Sequence, residues 1–277
     1  MDLLVGCDPE IVFTDKNNVL IPAHTILTKN KTVAFGCDGH PPICELRPGV
    51  ASTPFEMIAR IKNVFEQAYT KGLDFKNGTL TQLNWLAGHY KKNKPLGGHI
   101  HFAGVTSSKI RTIVQNLDIY IELLSELIDP KEEKRKRRNN GAPHHNGGGN
   151  VYGNLGDYRT KGTNHFEYRT PGSWLLSPQV SYLYIALAYN IVIGTEIGEI
   201  KTIDTPFEAN VTITPQNLNK ICTTLRNATT NEEKLGLIIQ LSEKNFFQDK
   251  KVFLTVLEKT INSLPLKWND DIKEYWI

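Results

Sequence analysis

Four pairs of chemistry-bearing side chains recur at a spacing of two: Asp8 and Glu10, Glu45 and Arg47, His99 and His101, Glu167 and Arg169. On an extended strand, residues i and i+2 project from the same face. The neighbours Leu46, Ile100, Phe102, Phe166 and Tyr168 are apolar and suit an opposite face packed on helices. A sheet face of carboxylates, imidazoles and guanidiniums is costly to assemble unless its charges meet something. A metal cluster and an anionic ligand would satisfy them. Any one pair is more commonly a surface ion pair. Four of them, mixing oxygen ligands, histidine and arginine, point to one shared site.

Carboxylates with few histidines favour hard divalent cations, Mg²⁺ or Mn²⁺. Zinc fits less well, because neither HExxH nor a Cys-His spacing occurs. Arg47, Arg159 and Arg169 supply planar forks for phosphate or carboxylate oxygens. Metals and arginines on one open face suit phosphoryl transfer, where charge neutralisation and alignment carry most of the catalysis. The glycine-rich Asn139–Gly156 (NNGAPHHNGGGNVYGNLG) is no P-loop, since GxxxxGK[ST] is missing. It reads equally as a lid over the site and as a solvent-exposed loop. His144-His145 within it reads as solvated.

The elements that must position these groups follow from periodicity and breakers. Short strands are expected at Leu3–Val5, Ile11–Phe13, Val19–Pro22, Thr32–Phe35, Ile43–Arg47, Leu80–Leu86, Gly98–Ala103 and Asn164–Arg169. Helices are expected at Thr53–Lys71, with Thr53 as N-cap and Pro54 at the first position, and at Ser108–Leu127, stopped by Asp129-Pro130. Val180–Ile197 reads as a long buried helix. Three more are expected at Gln216–Arg226, Glu232–Ser242 and Lys251–Leu264. Lys131–Arg138 (KEEKRKRR) reads as a solvated helix end, with a polyanion or nucleic acid as its less favoured partner. Trp174 is expected to pack the sheet edge, and Trp268–Ile277 to dock on the helices or on a partner. His24, His40, His89 and His165 carry no assignment, although His40 lies close in sequence to Glu45.

Across 277 residues, 40% hydrophobic and 22% charged, there is ample material for a core. The net charge of +3 leaves no global field to mark a nucleic-acid binder. The start of the chain does not read as a secretory signal, and Tyr182–Gly194 is too short and too polar at Asn190 to span a bilayer. Cys7, Cys37, Cys44 and Cys222 show no framework spacing, so a cytoplasmic location is the simplest expectation. No repeat or linker divides the chain. One α+β domain over residues 1–277 is expected, with strands first and helices added towards the C-terminus.

Gly6-Cys7-Asp8-Pro9-Glu10, Glu45-Leu46-Arg47-Pro48, Gly97-Gly98-His99-Ile100-His101-Phe102 and Phe166-Glu167-Tyr168-Arg169 with Ser173-Trp174-Leu175 resemble the carboxylate–amine ligases of the glutamine synthetase and glutamate–cysteine ligase superfamily. The phage-type COOH–NH2 ligases (amidoligase type 2) are the nearest group. The resemblance covers roughly residues 1 to 180; residues 181–277 carry no matching motif. It implies a curved antiparallel sheet with a polar, metal-binding concave face and helices on the other side. It implies ATP and Mg²⁺ or Mn²⁺, an acyl phosphate formed from a carboxylate, and its displacement by an amine. Asp8, Glu10, Glu45, His99 and Glu167 would then ligate metal. His101 would sit beside ATP phosphate or the acid substrate, and Arg169 would hold the transferring phosphoryl group or substrate carboxylate. Arg47 and Arg159 would meet phosphate or substrate. Asp8 departs from the family pattern, where a glutamate stands, and shortens the reach to one metal. No adenine-binding motif is evident.

The substrates are expected to be a small-molecule or peptide carboxylate and an amine, in a host cytoplasm if a phage encodes the chain. Oligomeric state is not legible. Two rival functions use the same residues. One is a metal- and ATP-dependent phosphotransferase of the guanidino-kinase type; the other is a non-catalytic phage structural or binding protein.

Overall fold

The computed structural model describes residues 2–28, 33–39, 42–71, 80–140, 152–200, 203–205, 208–211 and 230–277. Strands β1 (Leu4–Cys7) and β2 (Glu10–Thr14) are almost one, separated by Asp8-Pro9. Pro9 has no N–H to give a ladder, so continuous pairing breaks there. β1 pairs with β6 (Val50–Ala51) and with β10 (Ile100–Ala103), which pairs with β12 (His165–Tyr168), which pairs with the edge strand β11 (Tyr158–Thr160). β2 joins a second group with β3 (Leu20–Ile21), β5 (Cys44–Leu46) and β7 (Asn84–Leu86), while β4 (Phe35–Cys37) lies outside β5. Every pair in both groups is antiparallel. Asp8 N–H donates to the His99 carbonyl at 3.3 Å and Glu10 N–H to the Gly97 carbonyl at 2.9 Å. These bonds join the two groups across the break, and the whole curls into an antiparallel half-barrel, helices packed on its outer face.

After the single turn α1 (Ala23–Ile26), the helices form where caps and apolar stripes coincide. In α2 (Pro54–Lys71), Thr53 Oγ1 accepts from Glu56 N–H at 3.2 Å, as the sequence suggested for an N-cap. α3 (Ile110–Ile128) packs on α5 (Pro178–Glu196), which also lies on α2. Ser177 caps α5 by accepting from Val180 N–H, and α5 is apolar on nearly all sides because it runs through the core. Ile100, Phe102, Phe166 and Tyr168, the alternate residues of β10 and β12, are fully buried against these helices. One contiguous apolar cluster includes residues from Leu3 to Trp276. α6 (Asn231–Ser242) starts with a capping box between Thr230 and Glu233. α7 (Lys250–Asn262) and the short α8 (Lys273–Trp276) complete the chain, with Trp276 Nε1 donating to the Leu175 carbonyl at 2.8 Å and Trp268 Nε1 to Ile128 at 3.0 Å. The C-terminal segment thus docks on this chain.

Several expectations need correction. Lys131–Arg138 is not a solvated helix end but part of a separate helix, α4 (Lys131–Asn140). Its outer face (Glu132, Arg135, Lys136) is exposed, whereas Lys134 and Arg137 are buried. Buried cations need partners, and the sequence holds them one helix earlier. Lys134 pairs with Glu126 and Glu122, and Arg138 grips Glu122 with contacts of 3.1 and 2.7 Å. For the same reason α3 is not a one-sided stripe: it buries Asp118, Glu122 and Glu126 beside its leucines and isoleucines. Leu80–Leu86 holds a 3₁₀ turn (Leu80–Gln82) and then only three strand residues, because Leu83 N–H folds back on the Leu80 carbonyl. Two hairpins escaped notice: β8 (Tyr90–Lys91) with β9 (Lys94–Pro95), and β13 (Ile203–Thr205) with β14 (Glu208–Val211). The expected helix Gln216–Arg226, His40 and most of the glycine-rich stretch (141–151) lie outside the described residues.

Candidate active site

The register sets a row of site residues. Gly6 lies opposite His101, His101 opposite Glu167, and Glu167 opposite Arg159, so the row runs across four strands on one face. Asp8 sits at the break between β1 and β2, and its two oxygens meet both histidines. His99 Nδ1 lies 3.1 Å from Oδ1, and His101 Nε2 lies 3.0 Å from Oδ2. His99 Nδ1 is also 3.6 Å from Glu167 Oε1. Asp8, His99 and Glu167 each offer a donor atom, and these atoms lie within 4.8 Å of one another.

The second sheet group brings the other two carboxyls. Glu10 and Glu45 are direct cross-strand partners on β2 and β5. Glu10 Oε2 accepts from Gly97 N–H at 2.6 Å and from the Tyr152 hydroxyl at 3.1 Å. Glu45 shares a hydrogen bond with Asp8 and pairs with Arg47, whose guanidinium also donates to the Cys37 carbonyl at 3.2 Å. Cations crowd Glu167, which is fully buried. Arg159 grips it at 2.5 and 3.1 Å, Lys161 Nζ lies at 3.0 Å and Arg169 Nε at 3.3 Å.

The electrostatics divides these carboxyls. Burial opposes ionisation of Asp8, but hydrogen bonds from His101 and His99 outweigh it and hold the carboxyl well below its ordinary range. Glu167 is also held low: burial works against the charge, and His99 and Arg159 overcome it. His99 is raised, since Asp8 outweighs burial. Glu10 and Glu45 go the other way. Burial lifts Glu10 to about 7, and burial with the adjacent Asp8 charge lifts Glu45 to about 8. A hard divalent cation suits this donor set of carboxylates and one imidazole. Its charge is also what would return two buried, lifted carboxyls to carboxylate. Burial pushes the Cys7 and Cys44 thiols up, so neither is a thiolate ligand.

All nine sequence-predicted site residues therefore lie in one connected cluster. Asp8, His99 and Glu167 converge on one point, His101 joins through Asp8, and Arg159 and Arg169 join through Glu167. Glu45 joins through Asp8, with Arg47 behind it; Glu10 stands alongside, bridged by Tyr152. Three neighbours were missed. Lys161 stands two residues after Arg159, a fifth pair at strand spacing that could have been read. Arg137 was hidden in the basic run: it donates to the carbonyls of Thr170 at 2.6 Å and Arg169 at 3.1 Å. Tyr152 had no signal beyond its place at the end of the glycine-rich stretch. Of the unassigned histidines, His89 is buried against Asp129 at 2.7 Å, and the His165 ring lies 5.8 Å from His101. Trp174 packs as expected, its Nε1 donating to the Gly98 carbonyl at 2.9 Å.

Known structures share this architecture. A glutamate–cysteine ligase from Francisella tularensis, solved with AMP, superposes with a TM-score of 0.57 at 9% identity, covering 100% of this chain and 87% of that one. A bifunctional glutathione synthetase from Pasteurella multocida gives 0.56 at 8%, covering 99% of this chain and 48% of that one. This chain thus spans about half of the bifunctional enzyme. The ligase PafA, in complex with the prokaryotic ubiquitin-like protein Pup, gives 0.51 at 8%, with 94% and 64% covered. At such identities the likeness is one of fold. No curated protein sequence matches the chain. A family model described as phage phiEco32-like COOH.NH2 ligase-type 2 matches residues 5–210, well over half of the length. The chain belongs to that carboxylate–amine ligase family.

Proposed function

We propose that this protein is an ATP-dependent carboxylate–amine ligase that works through an acyl phosphate, with residues 1–277 as a single catalytic unit. The observation that carries the reading is the convergence of Asp8, His99 and Glu167 donor atoms within 4.8 Å, ringed by Arg159, Lys161 and Arg169. Asp8, His99 and Glu167 would hold one divalent cation, and Glu10 and Glu45 would offer a second position beside it. Mg²⁺ or Mn²⁺ would supply charge neutralisation there, lowering the repulsion between a carboxylate nucleophile and an anionic triphosphate. Arg169 holds the transferring phosphoryl group or the acid's carboxylate. His101 lies beside the phosphates or the acid. Arg159 and Lys161, partly exposed beside Glu167, would be available to the phosphates with a cation held at Glu167. Arg47 keeps Glu45 in place at the far side, close to phosphate or substrate.

The chemistry follows from what the residues exclude. An amine does not displace oxide from a carboxylate, but it displaces phosphate from an acyl phosphate. The curved, part-buried site limits water that would hydrolyse that intermediate. Family membership supports the carboxylate–amine pairing. A glutamate–cysteine ligase and the ligase of Pup share the fold, so small-molecule and peptide substrates both come within reach. No helix among the described residues is long and apolar enough to cross a membrane; the free thiols of Cys7, Cys37 and Cys44 are what support a reducing cytoplasm as the place of the reaction.

The test is isotopic. With ATP, Mg²⁺, an ¹⁸O-labelled carboxylate and an amine, one ¹⁸O is expected in the released phosphate. A stable phosphorylated product in place of an amide would establish a phosphotransferase. No ATP turnover with a broad panel of acids and amines would leave the non-catalytic reading.

A further inference from the structure

Tyr152 belongs to none of the motif pairs, yet its hydroxyl lies between two groups assigned above to cations. It is 2.8 Å from His99 Nε2 and 3.1 Å from Glu10 Oε2. The hydroxyl carries one proton. Given to the Glu10 carboxylate, that proton leaves the oxygen to accept, both from His99 Nε2–H and from the Arg137 side chain. The Nε2 proton is thereby held on the hydroxyl, and Nδ1, beside Asp8 Oδ1 and Glu167 Oε1, is left as the nitrogen whose lone pair would face a cation. The same contact, with Gly97 N–H at 2.6 Å, fixes one oxygen of Glu10 on protein donors and so sets the plane of its carboxyl group.

The surroundings hold Tyr152 in this place. The guanidinium carbons of Arg137 and Arg169 lie 4.7 and 5.1 Å from its ring centroid, and the ring is edge-on to His99 with centroids 5.6 Å apart. Gly97 leaves the room: a Cβ there would collide with the Tyr152 hydroxyl and with the His99 ring, Cδ2 at 2.8 Å among its atoms.

We propose that Tyr152 is a positioning residue for the cation site, its hydroxyl setting the tautomer of His99 and the orientation of Glu10. The inference rests on the reading that these residues hold a divalent cation. A packing role alone would be met equally by phenylalanine, so the hydroxyl is what must be tested. Partners that orient metal-ligating histidines are worth about 10- to 100-fold in metal affinity.

Mn²⁺ alone is titrated into the full chain and the free ion is followed by electron paramagnetic resonance, with metal-free thermal melts alongside. Tyr152→Phe is expected to weaken Mn²⁺ binding about 10-fold while the metal-free melt stays put. A His99→Ala, Glu10→Ala background keeps the test decisive if Tyr152→Phe also shifts the melt. There, adding Tyr152→Phe is expected to leave the remaining Mn²⁺ affinity unchanged, because both groups it orients are gone. Equal Mn²⁺ affinity in wild type and Tyr152→Phe would overturn the inference, as would an equal loss in both backgrounds. A wild-type chain that does not bind Mn²⁺ would instead overturn the functional reading on which it rests.

Discussion

Replacing Glu10 by glutamine separates what folding tolerates in this site from what a cation requires. Glu10 is buried, and burial above all lifts its carboxyl from an ordinary 4.5 to about 7. An unfolded chain ionises this group near 4.5, whereas the folded chain keeps the proton until about pH 7. Between these values the unfolded state binds fewer protons, so stability is full below the ordinary range and falls as pH rises. The shift corresponds to on the order of 3 kcal/mol, lost by pH 8 in the metal-free protein. Glu45, lifted to about 8 by burial and by Asp8, slopes the same way. Glutamine keeps an oxygen to accept from Gly97 N–H and the Tyr152 hydroxyl, and has no charge to desolvate. Urea unfolding in a chelator is therefore expected to show wild type and Glu10→Gln nearly matched at pH 5. At pH 8 the variant is expected to be more stable by about 2–3 kcal/mol. With Mn²⁺ the order reverses, since only the carboxylate gains from the cation. Parallel pH slopes in the chelator, or an equal gain from Mn²⁺, would refute the reasoning.

Glu167→Gln removes a charged donor from the converging trio and is expected to weaken Mn²⁺ binding by about 100-fold or more, read by calorimetry. Arg169→Ala is expected to keep that affinity within about threefold and to lower ATP turnover by about 100-fold; full activity in both variants would show the roles to be misassigned. Arg137→Met leaves two backbone carbonyls short of a charged donor in a site only 1% exposed. A loss of about 3 kcal/mol is expected in unfolding experiments, against less than about 0.5 kcal/mol for Arg135→Ala on the exposed face of the same helix. Trp276→Ala is expected to cost about 3–5 kcal/mol, because the indole is buried and donates to Leu175; an unchanged melt would mean that the tail does not dock as described.

The gathering of these side chains was legible in the sequence because strand geometry is local. His99 and His101 must share a face, as must Glu167 and Arg169, whatever lies around them, and apolar Ile100, Phe102, Phe166 and Tyr168 show which face is which. The break that puts Asp8 between two imidazoles is marked by Pro9. Long-range partners were not legible. Nothing near Lys134 or Arg138 in the sequence says that Glu122 and Glu126 neutralise them across a helix–helix contact, so a buried cationic face read as a solvated one. Asp118 likewise reads as the polar side of α3 until Tyr168, Thr170 and Gly156 are seen donating to it. Tyr152 reaches His99 across 53 residues of chain, and no periodicity encodes that approach. The hairpin at Lys92-Asn93 uses two non-glycine residues at positive φ, of which only Asn93 is a customary turn signal.

A crystal grown with Mn²⁺ and a non-hydrolysable ATP analogue, measured at the manganese absorption edge, tests the central claim most directly. The expected map has anomalous density bounded by Asp8, His99 and Glu167, with Arg159 and Arg169 turned from Glu167 onto the phosphates. Manganese seated elsewhere, with Arg159 still gripping Glu167 while nucleotide is bound, would contradict it.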